Sequence, residues 1–378
     1  MTGKQKILFL TGSMNQTLQM EAIASFLPEF ECVFSQLYSD NFFISKAISL
    51  GILNSTILGK PLRSIAESYL KSKNLPIDYK AKNNTYDLVV YCSDIIIPKN
   101  LKKVKSIWVQ EGMIDPYTSL SKIIQKLKLP SYWSMGTSLN GTSNLCDIYC
   151  TASEAYSDYI VKYGTDREKT IVTGIPNYDN LSQYLQNDFP HKGYVMVATS
   201  DIRETFRYEN RIEFLKKCVE IAGDRILLFK LHPNENKKRA IAEIRSICPK
   251  DTLIFTDGNT NEMIANSAEL ITQYSTVVYT GIALGKKVHS YFELEDLYKQ
   301  LPVQNGGISA EKIARICSEY LQHSGQLNTF LEPIRTRRAE FYAEKAYVLE
   351  VIKKGTAHAA EVADATLQEV KKVMCLDY

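Results

Sequence analysis

No Cys-x-x-Cys pair occurs in these 378 residues, although the chain contains eight cysteines. Cys32, Cys92, Cys146, Cys150, Cys218, Cys248, Cys317 and Cys375 are scattered, and Cys146 with Cys150 has no histidine nearby, so a zinc site is not expected. Several, such as Cys92 and Cys150, lie inside apolar runs and read as reduced core residues. Charge of one sign is also missing: 45 basic residues stand against 42 acidic ones, a net +3. Nucleic-acid binding through bulk charge is thereby excluded, and any basic function must be local. No apolar run reaches the roughly 18 residues a membrane span needs. Two lysines precede Ile7-Leu8-Phe9-Leu10 without the longer apolar region and cleavage site of a signal peptide, so a cytoplasmic location is expected. There is no short-period repeat, no low-complexity tract and no G-x-G-x-x-G dinucleotide fingerprint. No D-x-D stands at the strand ends that matter below, so neither a metal nor a cofactor is expected.

What is present is enough for a large core. With 45% hydrophobic and 23% charged residues the chain suits two globular domains. Short β-type runs alternate with longer amphipathic stretches: Lys6 to Thr11, Leu88 to Cys92, Ser106 to Val109, Ile148 to Thr151 and Thr170 to Thr173. The rhythm restarts after Phe189-Pro190-His191-Lys192-Gly193 with Tyr194 to Ala198, Ile226 to Leu231, Thr252 to Phe255, Glu269 to Thr272 and Lys287 to Tyr291. The expectation is an α/β chain of two Rossmann-like, doubly wound domains facing a cleft, with boundaries 1–188, 189–330 and 331–378. The last stretch, rich in Ala, Glu, Lys and Arg, is expected to be helical.

Residues suited to chemistry fall where strands end. Leu227-Leu228-Phe229-Lys230-Leu231-His232-Pro233-Asn234-Glu235 delivers an imidazole to a strand terminus, because Pro233 forbids further pairing. In open α/β sheets that edge binds ligands. His232 can donate to a phosphate-bearing leaving group, or serve only as a satisfied structural residue; Lys230, Pro233 and Asn234 share its surroundings. Glu111 leaves the strand Ser106 to Val109 beside Gly112 and is either a general base or a solvated turn residue. Asp94 ends another apolar run, where it orients a substrate hydroxyl or caps the turn. Tyr274, Ser275 and Thr276 open a helix that closes at Gly285, and such a start binds phosphate or is simply capped. Ser200 and Arg203 follow the first strand of the second half; Arg203 pairs with a phosphate, or with Asp201 or Glu204 at the surface. Gly12, Ser13, Asn15 and Gln16 form a loop toward the acceptor side.

Together these pieces resemble the glycosyltransferase B superfamily from about Lys6 to Leu294. Asp147 to Leu181, with Thr151-Ala152-Ser153-Glu154 and Gly174-Ile175-Pro176-Asn177-Tyr178-Asp179, is similar to non-hydrolysing UDP-N-acetylglucosamine 2-epimerases. In that branch, however, a further glutamate follows the Glu111 position, and none occurs here before Glu154. Gln110-Glu111-Gly112, then His232-Pro233, then Ser275-Thr276 resembles the order of motifs in bacterial sialyl- and Kdo-transferases that use CMP-sugars, with Gln110 in place of the first acid. CDP-glycerol-dependent teichoic-acid glycerophosphotransferases look similar around Ile271 to Glu295.

The resemblance implies an inverting transferase. It would move a sugar, with Kdo or another acidic sugar among the candidates, or a polyol phosphate, from a nucleotide-activated donor to a cell-surface or lipid-linked glycan. A cytidine-activated donor is favoured over a uridine one. Glu111 would take the acceptor proton, His232 would stabilise the leaving phosphate, and Ser275 with Thr276 would hold that phosphate. The alternatives are an epimerase-like isomerase and a non-catalytic nucleotide-binding protein. Lysines interleaved with apolar residues between Ser119 and Tyr132 suit either a peripheral contact with an anionic membrane or an ordinary solvated helix.

Overall fold

Among the described residues there are eleven short strands, ten of them where the rhythm predicts: β1 Lys6–Thr11, β2 Glu31–Gln36, β3 Leu88–Tyr91, β4 Lys105–Val109, β5 Ile148–Thr151, β6 Thr170–Val172, β7 Val195–Ala198, β8 Leu227–Lys230, β9 Leu253–Phe255, β10 Glu269–Thr272 and β11 Lys287–His289. The computed structural model describes residues 4–322 except 55, 135 and 205–207, together with 336, 337, 340, 350, 353–357, 360, 361, 363 and 364. Two compact units result, Met1–Leu321 and Gln322–Tyr378. The described residues from 336 to 364 are helical, and the remainder of the expected C-terminal helical stretch lies outside the described residues.

The strands form two parallel sheets, β2-β1-β3-β4-β5-β6 and β11-β10-β7-β8-β9. β3, β7 and β8 are buried along their whole length. A parallel sheet covered by helices on both faces requires this, which is why these strands read as unbroken apolar runs. In each sheet the chain order reverses beside the first strand, between β1 and β3 and between β7 and β10. Loops leaving those strands therefore open onto a crevice at the C-terminal edge.

Sequence reading missed β2. It pairs with β1 from Lys6↔Glu31 to Thr11↔Gln36, yet Ser35 and Gln36 interrupt its apolar run and are themselves buried. The seven described cysteines are free thiols, and all but Cys32 are buried. No helix among the described residues is long and apolar enough to cross a membrane.

After the helix Leu294–Gln300 the chain returns to the first lobe. Val303 N donates to Ala152 O at 2.9 Å, and Asn305 Nδ2 and Ser309 Oγ both reach Thr173 O at 2.8 and 2.7 Å. The helix Ser309–Gln322 then lies against that lobe, with Ser318 Oγ donating to Glu29 and the Lys105 ammonium over the Tyr320 ring. Residues 302–322 thus belong physically with the first sheet, although an uninterrupted second domain up to residue 330 was the expectation. Asp179, 1% exposed, fastens the crossing: its carboxylate accepts from Asn305 N at 2.6 Å and from Ser309 N, the first residue of that helix, at 2.5 Å. An anion at a helix start is doubly favourable, as acceptor and as countercharge to the helix dipole. Asp179→Ala should cost about 1–3 kcal/mol of stability, read as a lower urea midpoint with an unchanged slope, and Asp179→Asn should recover part of it.

Candidate active site

Glu111 is carried into the crevice by the residue before it. Gln110, 1% exposed, donates its amide to Gly112 O at 2.8 Å and accepts from Ala152 N at 2.9 Å, so both halves of the amide are used. A carboxylate there could not supply the donor, which explains a glutamine in place of a first acid. Half-buried Glu111 follows; burial raises its pKa, and a hydrogen bond from the Gln16 side chain opposes that rise. Gln16 stands on the helix Met14–Ala24, whose N-cap is Ser13, the Ser13 hydroxyl accepting from Gln16 N at 3.2 Å. A Cβ on Gly12 would lie 2.7 Å from Gln16 Oε1 and 3.0 Å from Ile57 Cβ, so a larger residue there would displace the Gln16 side chain. Asn15 takes part through its carbonyl, which accepts from Asn177 Nδ2 at 2.9 Å.

The opposite wall comes from the second sheet. A Cβ on Gly112 would stand 3.3 Å from Thr276 Cγ2, so the loops after β4 and β10 touch across the crevice. The helix here is Val277–Ala283, and Thr276 occupies its N-cap without making a side-chain cap. Tyr178 stands beside it; burial raises the phenol's pKa, the Thr276 side chain opposes that rise, and the Glu111 charge adds to it. Tyr178 packs edge-on against Tyr279, and Tyr279 shares a 2.7 Å hydroxyl contact with Tyr156 of the first lobe. Sequence reading passed over Tyr178 as a site residue. Its signal was its place in the Ile175-Pro176-Asn177-Tyr178-Asp179 stretch.

His232 stands at the corner expected of it. Glu235 N donates to His232 O at 3.0 Å, closing a turn with Pro233 at its second position. Asn234 N donates to His232 Nδ1 at 3.2 Å. A backbone N–H can only donate, so Nδ1 is the acceptor and the ring proton sits on Nε2. Burial lowers the His232 pKa, with Asp201 opposing, so the ring is neutral at pH 7 and presents an N–H donor. Since β7 lies between β8 and β10, His232 and Ser275–Thr276 flank the loop that begins at Thr199.

Other expected site residues are engaged elsewhere. The Arg203 guanidinium pairs with Glu243 at 2.8 Å and Glu209 at 2.9 Å. Arg211 joins the same buried cluster through Glu235 at 2.9 Å and Glu209 at 3.3 Å. Glu235 is buried in this cluster and accepts from Thr199 Oγ1 at 2.6 Å. Thr199 Oγ1 in turn accepts from His232 N at 2.9 Å, so the cluster braces the histidine turn. Lys230 directs its ammonium to Leu231 O and Thr256 O, and burial lowers its pKa. Ser200 Oγ bonds Gln273 Oε1 at 3.1 Å. Tyr274 lines a cavity of about 400 Å³ with Tyr208, Asn210, Gln273 and Tyr291. Asp94 is a brace: Gly141 N, Ser143 N and the Ser143 and Tyr149 hydroxyls occupy both of its oxygens. Among the described residues no group of three or more His, Cys, Asp or Glu side chains is arranged to hold a metal ion.

A family model described as CDP-glycerol:poly(glycerophosphate) glycerophosphotransferase matches residues 93–302, more than half of the chain and a span containing Glu111, His232, Ser275 and Thr276. Among solved structures, an S. aureus MnaA–UDP complex superposes with a TM-score of 0.51 at 12% identity, covering 84% of this chain and 97% of that one. The likeness shows a shared fold of the GT-B type. UDP-GlcNAc 2-epimerase from Neisseria meningitidis superposes at 0.48 with 12% identity over 83% and 99% of the two chains. The wall teichoic acid polymerase TagF superposes at 0.39 with 14% identity over 87% and 83%. A curated relative, the tryptophan–tRNA ligase of Clostridium longisporum, is 28% identical over 170 residues, 37% of this chain and 48% of the ligase, so the match spans about half of that protein's length.

Proposed function

The chain belongs to the CDP-glycerol:poly(glycerophosphate) glycerophosphotransferase family, and from that premise we propose that it transfers a glycerophosphoryl group from a cytidine-activated donor to the hydroxyl end of a surface polymer. The observation that supports this reading is the close approach of Gly112, the residue after Glu111, to Thr276 across the crevice. The acceptor hydroxyl oxygen bonds to the glycerol-bearing phosphorus, the bond from that phosphorus to the bridging oxygen breaks, and CMP leaves with the bridging oxygen. Glu111 receives the acceptor proton. His232, as a neutral Nε2–H donor, hydrogen-bonds the departing phosphate, and Ser275 and Thr276 hold its other oxygens. Because the reaction runs at phosphorus, no anomeric carbon is inverted, unlike transfer of Kdo or another sugar.

One observation favours transfer over epimerisation. A 2-epimerase must remove and return a ring proton, which calls for a second carboxylate working with Glu111. The oxygens of Asp94 are already taken by Gly141, Ser143 and Tyr149. The lipid-linked end of such a polymer also gives a use to exposed apolar residues. Leu120 and Ile123 on the helix Ser119–Lys126 face outward beside Lys122 and Lys126, and Asn41 Nδ2 bonds Tyr132 OH, linking this region to exposed Phe42 and Phe43. Peripheral contact with anionic lipid follows from that chemistry.

Glu111→Gln should abolish turnover while leaving nucleotide affinity nearly intact, and His232→Ala should weaken both. Calorimetry with CMP, CDP and UDP beside a CDP-glycerol turnover assay checks this, and normal activity in Glu111→Gln removes the base assignment. The base works ionised, and burial raises its pKa, so the acid limb of kcat/KM should lie above the ordinary carboxylate range. Gln16→Leu, which removes the opposing hydrogen bond, should move that limb to still higher pH. In sedimentation with phosphatidylglycerol liposomes the protein should pellet, and its absence from the pellet rejects the membrane contact.

A further inference from the structure

The first sheet carries a second opening that the chemistry above leaves unused. At the C-terminal edge of β2 a cavity of about 230 Å³ is lined by Ser35, Gln36, Arg63, Tyr79, Lys80 and Lys82. Its lining includes three cations and no carboxylate. Glu67 acts on Arg63 from nearby, but its carboxylate is held by Lys71 and by the Tyr79 hydroxyl, each at 2.6 Å. Lys80 is fixed from behind, its N–H donating to Ser35 Oγ at 3.2 Å. At the floor lies Gln36, 2% exposed, whose amide nitrogen and oxygen both lack a hydrogen-bond partner among the described residues. Buried amides are almost always paired, so two open positions on one side chain under three cations call for a ligand carrying both an acceptor and a donor.

We propose that this cavity is a glycerophosphate subsite, which grips a phosphodiester unit of the acceptor polymer away from its reacting end. Arg63, Lys80 and Lys82 answer the phosphodiester charge. Gln36 Nε2 donates to a phosphoryl oxygen while Oε1 accepts from the glycerol hydroxyl next to it, a pairing that bare phosphate does not complete. Placement agrees with this role. Gln36 stands in register with Thr11, immediately before the Gly12 loop, and in the order β2-β1-β3-β4 it lies three strand spacings, about 14 Å, from the end of the strand that carries Glu111. Both openings sit on the same edge of one sheet, so an extended polyanion can occupy them together. The inference rests on the transferase reading and adds to it how the acceptor is held.

The test is calorimetry on the full chain with synthetic tri(glycerol phosphate), inorganic phosphate and, separately, CDP-glycerol. Lys80→Ala combined with Lys82→Ala, both exposed positions, should weaken tri(glycerol phosphate) binding about tenfold or more and leave CDP-glycerol binding unchanged. Gln36→Leu should reduce the preference for tri(glycerol phosphate) over inorganic phosphate. Unchanged tri(glycerol phosphate) affinity in the double variant overturns the subsite. If the wild type binds CDP-glycerol but not tri(glycerol phosphate), the subsite falls and the donor reading stands. If it binds tri(glycerol phosphate) through the lysines but not CDP-glycerol, the donor reading falls and the subsite stands. Phosphatidylglycerol vesicles are the last arm: vesicle binding lost in the double variant, with no tri(glycerol phosphate) binding, reassigns the cavity to a lipid headgroup and overturns the proposal.

Discussion

Gln110 closes two hydrogen bonds with one amide, to Gly112 O and from Ala152 N, and in doing so sets the direction in which the chain leaves β4. Glu111 lies between these anchors. Its backbone has little freedom, so its carboxylate reaches the crevice and finds Gln16 rather than bulk water. The same geometry brings Gly112 against Thr276, where a larger residue would press on the Thr276 methyl. Loosening that brace would release the carboxylate, the contact between the lobes and the Tyr178–Thr276 interaction together.

The two walls differ in the protonation states they favour. On the Glu111 side burial is only partly offset by Gln16, which moves the carboxyl toward the pKa of a working base. On the other side Asn234 N and burial keep His232 neutral with its proton on Nε2. In the transfer proposed above, Glu111 accepts the proton and His232 donates the hydrogen bond that displacement at a phosphate requires. The His232 turn is itself secured by a chain of contacts running from Arg211 through Glu235 and Thr199 to the His232 N–H. A buried ionic cluster is a poor source of net stability, but it holds a turn in one geometry.

Much of the fold was legible beforehand, for a physical reason. β3, β7 and β8 are covered on both faces, and only unbroken apolar runs tolerate that burial. Candidate site residues at strand ends were legible too, because parallel sheets gather their C-terminal ends on one edge. β2 was not, since its buried Ser35 and Gln36 look like a loop unless the cavity they line is known. The partners of Arg203 were equally hidden. Glu209 and Glu243 come from different elements and meet only after the second sheet and its helices have assembled.

Local order in the chain thus determined the strand rhythm, the division into two doubly wound halves, and Glu111, His232, Ser275 and Thr276 as residues at strand ends. These follow from side-chain period, proline and glycine chemistry, which act over a few neighbours. Tertiary structure decided which of them meet. It put Gly112 against Thr276, turned Arg203 toward glutamates, returned the helix Ser309–Gln322 to the first lobe and left the Gln36 amide without a partner among the described residues, beneath three cations. Those outcomes depend on groups distant in sequence sharing one desolvated volume, a property that no local pattern encodes.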